Sequence, residues 1–219
     1  MKKDTMPQVA QYWNSIAGEF DTIYSGEKGA FARFLDRWFR KDMYQRLNWV
    51  MGKCGDVGGL RVCDIGCGSG RFVTEFAKRG AAHVTGVDVA AEMLKLAQRL
   101  VERDGVASAC DFVHADVLDW RTDQTYDITI AIGFWDYIAD PGSRLDRIRR
   151  LTGRTFLSAW PRVWTWRMPV RKLRLQFIRG CPVYFFRKAD VRRLLEQAGF
   201  QVETCDTVGK LFCVEARPV

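Results

Sequence analysis

The chain has 219 residues, 47% hydrophobic and 27% charged, which suits one domain with a full core and excludes intrinsic disorder and fibrous repeats. Its formal charge of +8 is unevenly spread: Arg147 to Ala189 holds twelve Arg and Lys and no Asp or Glu, leaving 22 basic against 26 acidic residues elsewhere. The basicity belongs to one segment and needs a local explanation.

Seven cysteines, an odd count scattered over apolar segments, fit buried thiols in a reducing compartment better than a disulfide framework. With two histidines, His83 and His114, and no Cys-x-x-Cys pair, no metal is expected. The apolar runs are strand-sized and Met1-Lys2-Lys3-Asp4 leads into polar sequence, so a cytoplasmic protein without a transmembrane helix is expected.

In chain order, residues 1–53 read as a helical lid, with Val9, Tyr12, Trp13, Ile16 and Phe20 on one face and Phe31, Phe34, Leu35, Trp38 and Phe39 on the next. Residues 54–219 read as an α/β domain. Apolar runs at 60–65, 83–88, 110–114, 127–132 and 154–159 alternate with helical stretches near 70–79, 91–104 and 141–151, which predicts a mostly parallel sheet with helices on both faces. After a helix at about 188–198, Phe200–Asp206 and Lys210–Ala216 flank Thr207-Val208-Gly209 and read as an antiparallel hairpin at one sheet edge, making seven strands.

The first strand ends in Val62-Cys63-Asp64-Ile65-Gly66-Cys67-Gly68-Ser69-Gly70 and a helix follows. Glycines there let the backbone turn tightly beside a ligand, at the crevice where open α/β sheets bind. A dinucleotide-binding loop would place its third glycine at position 71, where this chain has Arg71. Asp64, just before the loop, suits a ligand with an ammonium group better than one with phosphates. The second strand ends at Gly86-Val87-Asp88, whose carboxylate can accept both hydroxyls of a ribose. The third ends at His114-Ala115-Asp116-Val117, placed to meet an adenine edge.

These motifs resemble the class I S-adenosylmethionine-dependent methyltransferases, whose Rossmann-like sheet they would share. Val62 to Gly70 looks like the first motif, Thr85 to Asp88 the second, Ala115-Asp116-Val117 the adenine motif and Tyr126 to Ala131 the fourth strand. The likeness runs from about Leu60 to Ala216. It implies S-adenosylmethionine as cofactor and S-adenosylhomocysteine as product. Asp64 and the backbone of Gly66, Gly68 and Gly70 would hold the methionine part, Asp88 the ribose, Asp116 and Val117 the adenine, and Gly133 the sulfur end, with Val89 a further cofactor contact. Met93 reads equally as an adenine contact or as core. The opening through Tyr12 and Tyr24 resembles the lid of small-molecule members, as in ubiquinone and menaquinone biosynthesis. A Mg-protoporphyrin methyltransferase is similar in layout.

After the fourth strand, where this family faces its acceptor, Trp135 and Tyr137 read as an aromatic wall and Asp136 as a polar contact or base, with helix-start packing as the competing reading. The insertion at about 161–186 carries Trp164, Trp166, Arg171 and Arg174. It reads as a cap gripping a carboxylate or phosphate, as a contact for an anionic membrane or nucleic acid, or as a solvated basic face. Few histidines and a basic cap favour a small acidic acceptor that needs no base, with O-methylation of a hydroxyl and N-methylation as variants. Methylation of RNA, DNA or protein is the alternative, although the Asn/Asp-Pro-Pro-Tyr/Phe tetrapeptide of amino-methylating nucleic-acid enzymes is absent from Ala131-Ile132-Gly133-Phe134. A non-catalytic S-adenosylmethionine-binding module is the reading from outside the enzymes.

Overall fold

The computed structural model describes residues 6–24, with side chains to residue 18, and residues 43–163, 181 and 183–219. The expected face from Phe31 to Phe39, and Trp164, Trp166, Arg171 and Arg174, lie outside the described residues, as does the side chain of Tyr24. Strands Arg61–Ile65 (β1), His83–Asp88 (β2), Cys110–His114 (β3), Tyr126–Ile132 (β4), Thr152–Pro161 (β5), Phe200–Val208 (β6) and Leu211–Pro218 (β7) form one sheet in the order β3-β2-β1-β4-β5-β7-β6. The first five are mutually parallel, and β7 pairs antiparallel with both β5 and β6. The chain leaves β1 towards β2 and β3, then returns to β4 on the other side. The crevice opens at the carboxyl ends of β1 and β4, the switch point where ligands bind in such sheets.

Helices cover both faces, so the central strands carry nearly continuous apolar runs instead of alternating ones. Gly142–Leu151 (α5) and Lys188–Gln197 (α6) supply Leu145, Ile148, Leu151, Val191 and Leu195 to a core with Ile65, Phe156 and Phe200. Residues 43–54 (α2), Arg71–Lys78 (α3) and Ala91–Arg103 (α4) bring Val50, Val73, Phe76, Leu94 and Val101 onto Val62, Val84, Ile128 and Leu157 of the opposite face. Met6–Tyr24 (α1) is amphipathic as expected. Its Val9 packs with Tyr137 and Val183, and its Ala17 with Ala90, Met93 and Leu96. The helix thus bridges the loop after β4 and the start of α4. Ala90 offers α4 no side-chain cap; Asn14 of α1 accepts the Glu92 amide at 3.0 Å and takes over that duty.

The hairpin is tighter than expected. Val208 pairs with Leu211, leaving Gly209-Lys210 as a two-residue turn with Gly209 at φ +57° in place of the expected Thr207-Val208-Gly209 loop. β5 also outruns its expected end, because Trp160 and Pro161 pair with Phe212 and Leu211 of β7. The insertion therefore departs after Pro161.

Polar contacts fasten α2 to this hairpin. Lys53 Nζ donates to Thr204 Oγ1 at 2.8 Å and Glu215 Oε2 at 3.1 Å, and Trp49 Nε1 donates to Asp206 at 2.9 Å. Lys53→Met should lower stability by about 1 kcal/mol, the scale of a partly exposed ion pair and its hydrogen bonds. A urea midpoint equal to that of the parent would contradict it. Among the described residues, no helix is long and apolar enough to cross a membrane.

Candidate active site

β1 delivers Asp64 to the crevice, and the turn after it is sewn to β2. The amides of Gly66 and Cys67 both donate to Val87 O, at 2.8 and 3.1 Å. Asp88 closes the turn: Oδ2 accepts the Gly68 amide at 2.8 Å and Oδ1 the Ala90 amide at 2.9 Å. A carboxylate offers about four lone-pair directions, so both oxygens keep capacity for ribose hydroxyls. Cys63 and Cys67 are buried, and burial pushes both thiols well above their usual range, as packing residues require.

Asp64 is 1% exposed, and its Oδ2 has no hydrogen-bond partner. Burial drives its carboxyl well above the usual carboxylate range, and the nearby Asp88 charge adds to this. Asp88 is also raised by burial, with the amides of Ala90 and Gly68 opposing the shift. Two adjacent acids, one of them unpartnered, make a pocket that favours a cation.

At the ends of β2 and β3 the expected residues gather, with different duties. Met93 is buried under α1, and its methyl lies 3.5 Å from where a side chain on Gly68 would begin. Val89 is partly exposed, and its carbonyl lies 3.1 Å from His114 Nε2, so His114 is tied to this edge. Val117 is buried core. Asp116 holds the Leu118 amide on Oδ1 at 3.1 Å, and Oδ2 forms an ion pair with Arg144 of α5 at 2.5 Å. Both side chains are nearly buried. Any adenine contact by Asp116 would share a carboxylate already committed to Arg144, a partner the sequence reading missed.

After β4, Gly133 adopts φ +83°. Trp135, expected as a wall facing the acceptor, is instead fully buried and stacked on Trp160 of β5, with centroids 4.1 Å apart and planes 7° from parallel. The reason is steric: the short 3-10 turn Trp135–Tyr137 directs this ring under the sheet edge, into the core shared with Ile138 and Leu145. Phe134, which was not singled out, takes the exposed side of the turn and packs against Gly66. Phe186, Trp160, Trp135 and Phe134 form one chain of ring contacts, each 4.1 to 5.0 Å, from the root of the insertion to the glycine turn.

Tyr137 is nearly buried and meets Trp13 of α1 edge-on at 5.7 Å, with Tyr12 against Trp13 at 5.4 Å. Asp136 is buried, and its main-chain oxygen accepts the Tyr184 amide at 2.8 Å. That bond, with the Arg162–Phe186 bridge, brings both ends of the insertion to the carboxyl edge.

Part of the basic window is structural. Arg147 Nη2 donates to the carbonyls of Trp120 and Thr122 at 2.8 and 3.0 Å, and Arg149 holds the carbonyls of Gly199 and Val219. Arg162, Arg187 and Lys188 instead surround a cleft of about 440 Å³ with Val163, Phe186 and Phe212. Sequence reading also passed over Arg46 of α2, whose Nη1 lies 3.6 Å from the position a side chain on Gly133 would take. No local spacing marks it, because that contact depends on how α2 packs.

Residues 62–154 match a family described as a methyltransferase domain. Ubiquinone biosynthesis O-methyltransferase of Aeromonas salmonicida is 33% identical over 144 residues, 60% of either chain. The Neisseria meningitidis serogroup C protein of the same name is 27% identical over 88% of this chain and 87% of its own. Among solved structures, magnesium protoporphyrin IX methyltransferase from Synechocystis, with bound S-adenosylmethionine, superimposes with a TM-score of 0.78 at 21% identity over 99% of this chain and 98% of that one.

Proposed function

We propose that the chain is a class I S-adenosylmethionine-dependent methyltransferase that methylates a small acidic molecule held between its N-terminal helices and the carboxyl edge of the sheet; the methyltransferase-domain match over residues 62–154 and the O-methyltransferase relatives support this reading. The observation that carries the cofactor assignment is the buried, unpartnered Asp64 beside a turn closed by Asp88. An ammonium group would satisfy the open oxygen of Asp64, and ribose hydroxyls would take the remaining lone pairs of Asp88. Asp116 and Val117 would flank the adenine with Val89 and Met93, and the main chain at Gly133 would face the sulfur.

S-adenosylmethionine supplies a methyl group on a positively charged sulfur; the acceptor's oxygen pair bonds the methyl carbon while the carbon–sulfur pair stays with sulfur. Carboxylate and sulfonium thereby become a neutral ester and a neutral thioether. The protein's task is alignment and exclusion of water, which needs few reacting side chains. Tyr137, Tyr12 and Trp13 would supply an apolar wall, and Asp136 would position the loop.

Residues 1–53 would act as the lid over the domain from residue 54 onward. The insertion would cap the acceptor, with Arg171 and Arg174 among its cations. Support comes from its described ends, which meet the loop after β4, and from the basic cleft at Arg162, Arg187 and Lys188.

Titration calorimetry with S-adenosylmethionine and S-adenosylhomocysteine tests the first part. Binding near micromolar, about 8 kcal/mol, and its loss in Asp88→Ala are expected; no heat with either ligand would overturn the assignment. A radiolabelled methyl assay over aromatic acids and neutral phenols tests the second. Esters of the acids are expected, and turnover of neutral phenols alone would overturn the acidic acceptor.

A further inference from the structure

Arg46 is the cation the site has not yet used. The first described turn of α2 reaches the carboxyl edge, where Met43 Sδ accepts from Arg71 Nη1 at 3.3 Å and the Arg71 guanidinium lies 4.9 Å from the Tyr44 ring centroid. Arg71 directly follows the glycine turn. One residue pair further along α2, the Arg46 guanidinium sits over Gly133, at the loop that would face the sulfur.

Its Nε is buried and has no hydrogen-bond partner, and no ion pair to Arg46 occurs among the described residues. The hairpin acids that meet α2 are engaged by other residues of that helix: Asp206 by Trp49 and Lys53, Glu215 by Lys53. Arg144 at this edge also has a buried Nε without a partner, but its guanidinium is paired through Nη2 with Asp116. An arginine with a desolvated, unpaired nitrogen is unfavourable unless something outside the chain completes it. The planar fork of a guanidinium fits a carboxylate with two parallel hydrogen bonds.

We infer that Arg46 is a specificity-determining residue that holds the carboxylate of the acceptor beside Gly133. This rests on the methyltransferase reading with an acidic acceptor, and it moves recognition from the insertion to α2. The contacts of Lys53 and Trp49 then have a functional consequence, since they hold the helix that carries Arg46.

The test uses the full chain saturated with S-adenosylhomocysteine, with 2-naphthoate and its neutral methyl ester as probes. The parent protein should bind the acid at least about tenfold more tightly than the ester, a difference of about 1.4 kcal/mol. Arg46→Gln should abolish that preference while binding S-adenosylhomocysteine as the parent does, and Arg46→Lys should restore part of it. A purely structural role would change the thermal midpoint and leave the acid-to-ester ratio alone. If Arg46→Gln does not fold, the inference stands or falls on Arg46→Lys, where a reduced ratio is expected. Normal S-adenosylhomocysteine binding with an unchanged ratio in the variants, or no acid preference in the parent, would overturn the inference by itself. Failure of the parent to bind S-adenosylhomocysteine would overturn the methyltransferase reading, and the role of Arg46 with it.

Discussion

Asp64→Asn should weaken S-adenosylhomocysteine binding by about 2–5 kcal/mol, on the order of 30-fold or more, while making the ligand-free protein more stable at neutral pH. The first effect follows from removing the buried charge that an ammonium would pair with. The second follows from the same charge being unpaired when the pocket is empty. The folded-state pKa of Asp64 lies above its unfolded value because burial and Asp88 both disfavour ionisation. A group raised in this way costs nothing below its unfolded pKa, and its cost grows as pH rises from the unfolded towards the folded pKa and stays constant above it. The stability gained by Asp64→Asn should therefore be present at pH 8 and vanish below about pH 4.

Ligand affinity in the parent protein should move the other way, falling as the solution is acidified. Proton and ammonium compete for one carboxylate, and the raised pKa brings that competition in above the usual carboxylate range. Thermal midpoints of the parent and Asp64→Asn at pH 4 and pH 8, each with and without S-adenosylhomocysteine, decide the matter. A variant that binds normally, or one less stable than the parent at pH 8, would contradict it.

Gly70→Ala should cost about 3 kcal/mol of stability, from about 1–2 kcal/mol of left-handed backbone strain and a further 1–3 kcal/mol of overpacking. Gly70 holds φ +74° just ahead of α3, and a methyl group there would lie 2.6 Å from Ala97 Cβ and 3.0 Å from Ala97 Cα. Ala97 belongs to α4, so relief requires moving a helix instead of rotating a side chain. In a chain of this size the thermal midpoint should drop by roughly 10 °C. Gly68→Ala is the matched control, since its φ is +52° and its added methyl meets only the Met93 Cε, at 3.5 Å. It should cost about 1 kcal/mol from backbone strain alone. Equal losses in the two variants would show that α4 yields freely.

The order of strands and helices, the glycine turn, the acids at the ends of β1, β2 and β3, and the terminal hairpin were all legible in the residues. Each is encoded within a few positions: apolar runs separate strands from helices, glycine permits the turn, and a carboxylate at the carboxyl end of a strand lies at the edge where the crevice opens. The hairpin was legible as an element, but its turn was misplaced by two residues, because the pairing of Val208 with Leu211 depends on where β7 also meets β5.

What stayed hidden depends on partners far away in the chain. Trp135 looked like a pocket wall from its position after β4, yet it stacks on Trp160, and only the closing of β4 beside β5 brings those rings together. Arg144 and Asp116 lie 28 residues apart and become an ion pair when α5 packs behind the sheet. Arg147 and Arg149 counted towards the basic window until the fold set them against carbonyl groups. Arg46 carried no local signature; the docking of α2 puts it at Gly133. The sequence by itself determined the fold class, the glycine turn and the acids at the carboxyl edge of the sheet, since hydrophobic period and turn chemistry act locally. The tertiary structure alone decided which rings are core and which cations are left unpaired, because burial and pairing are properties of neighbours that the chain acquires only on packing.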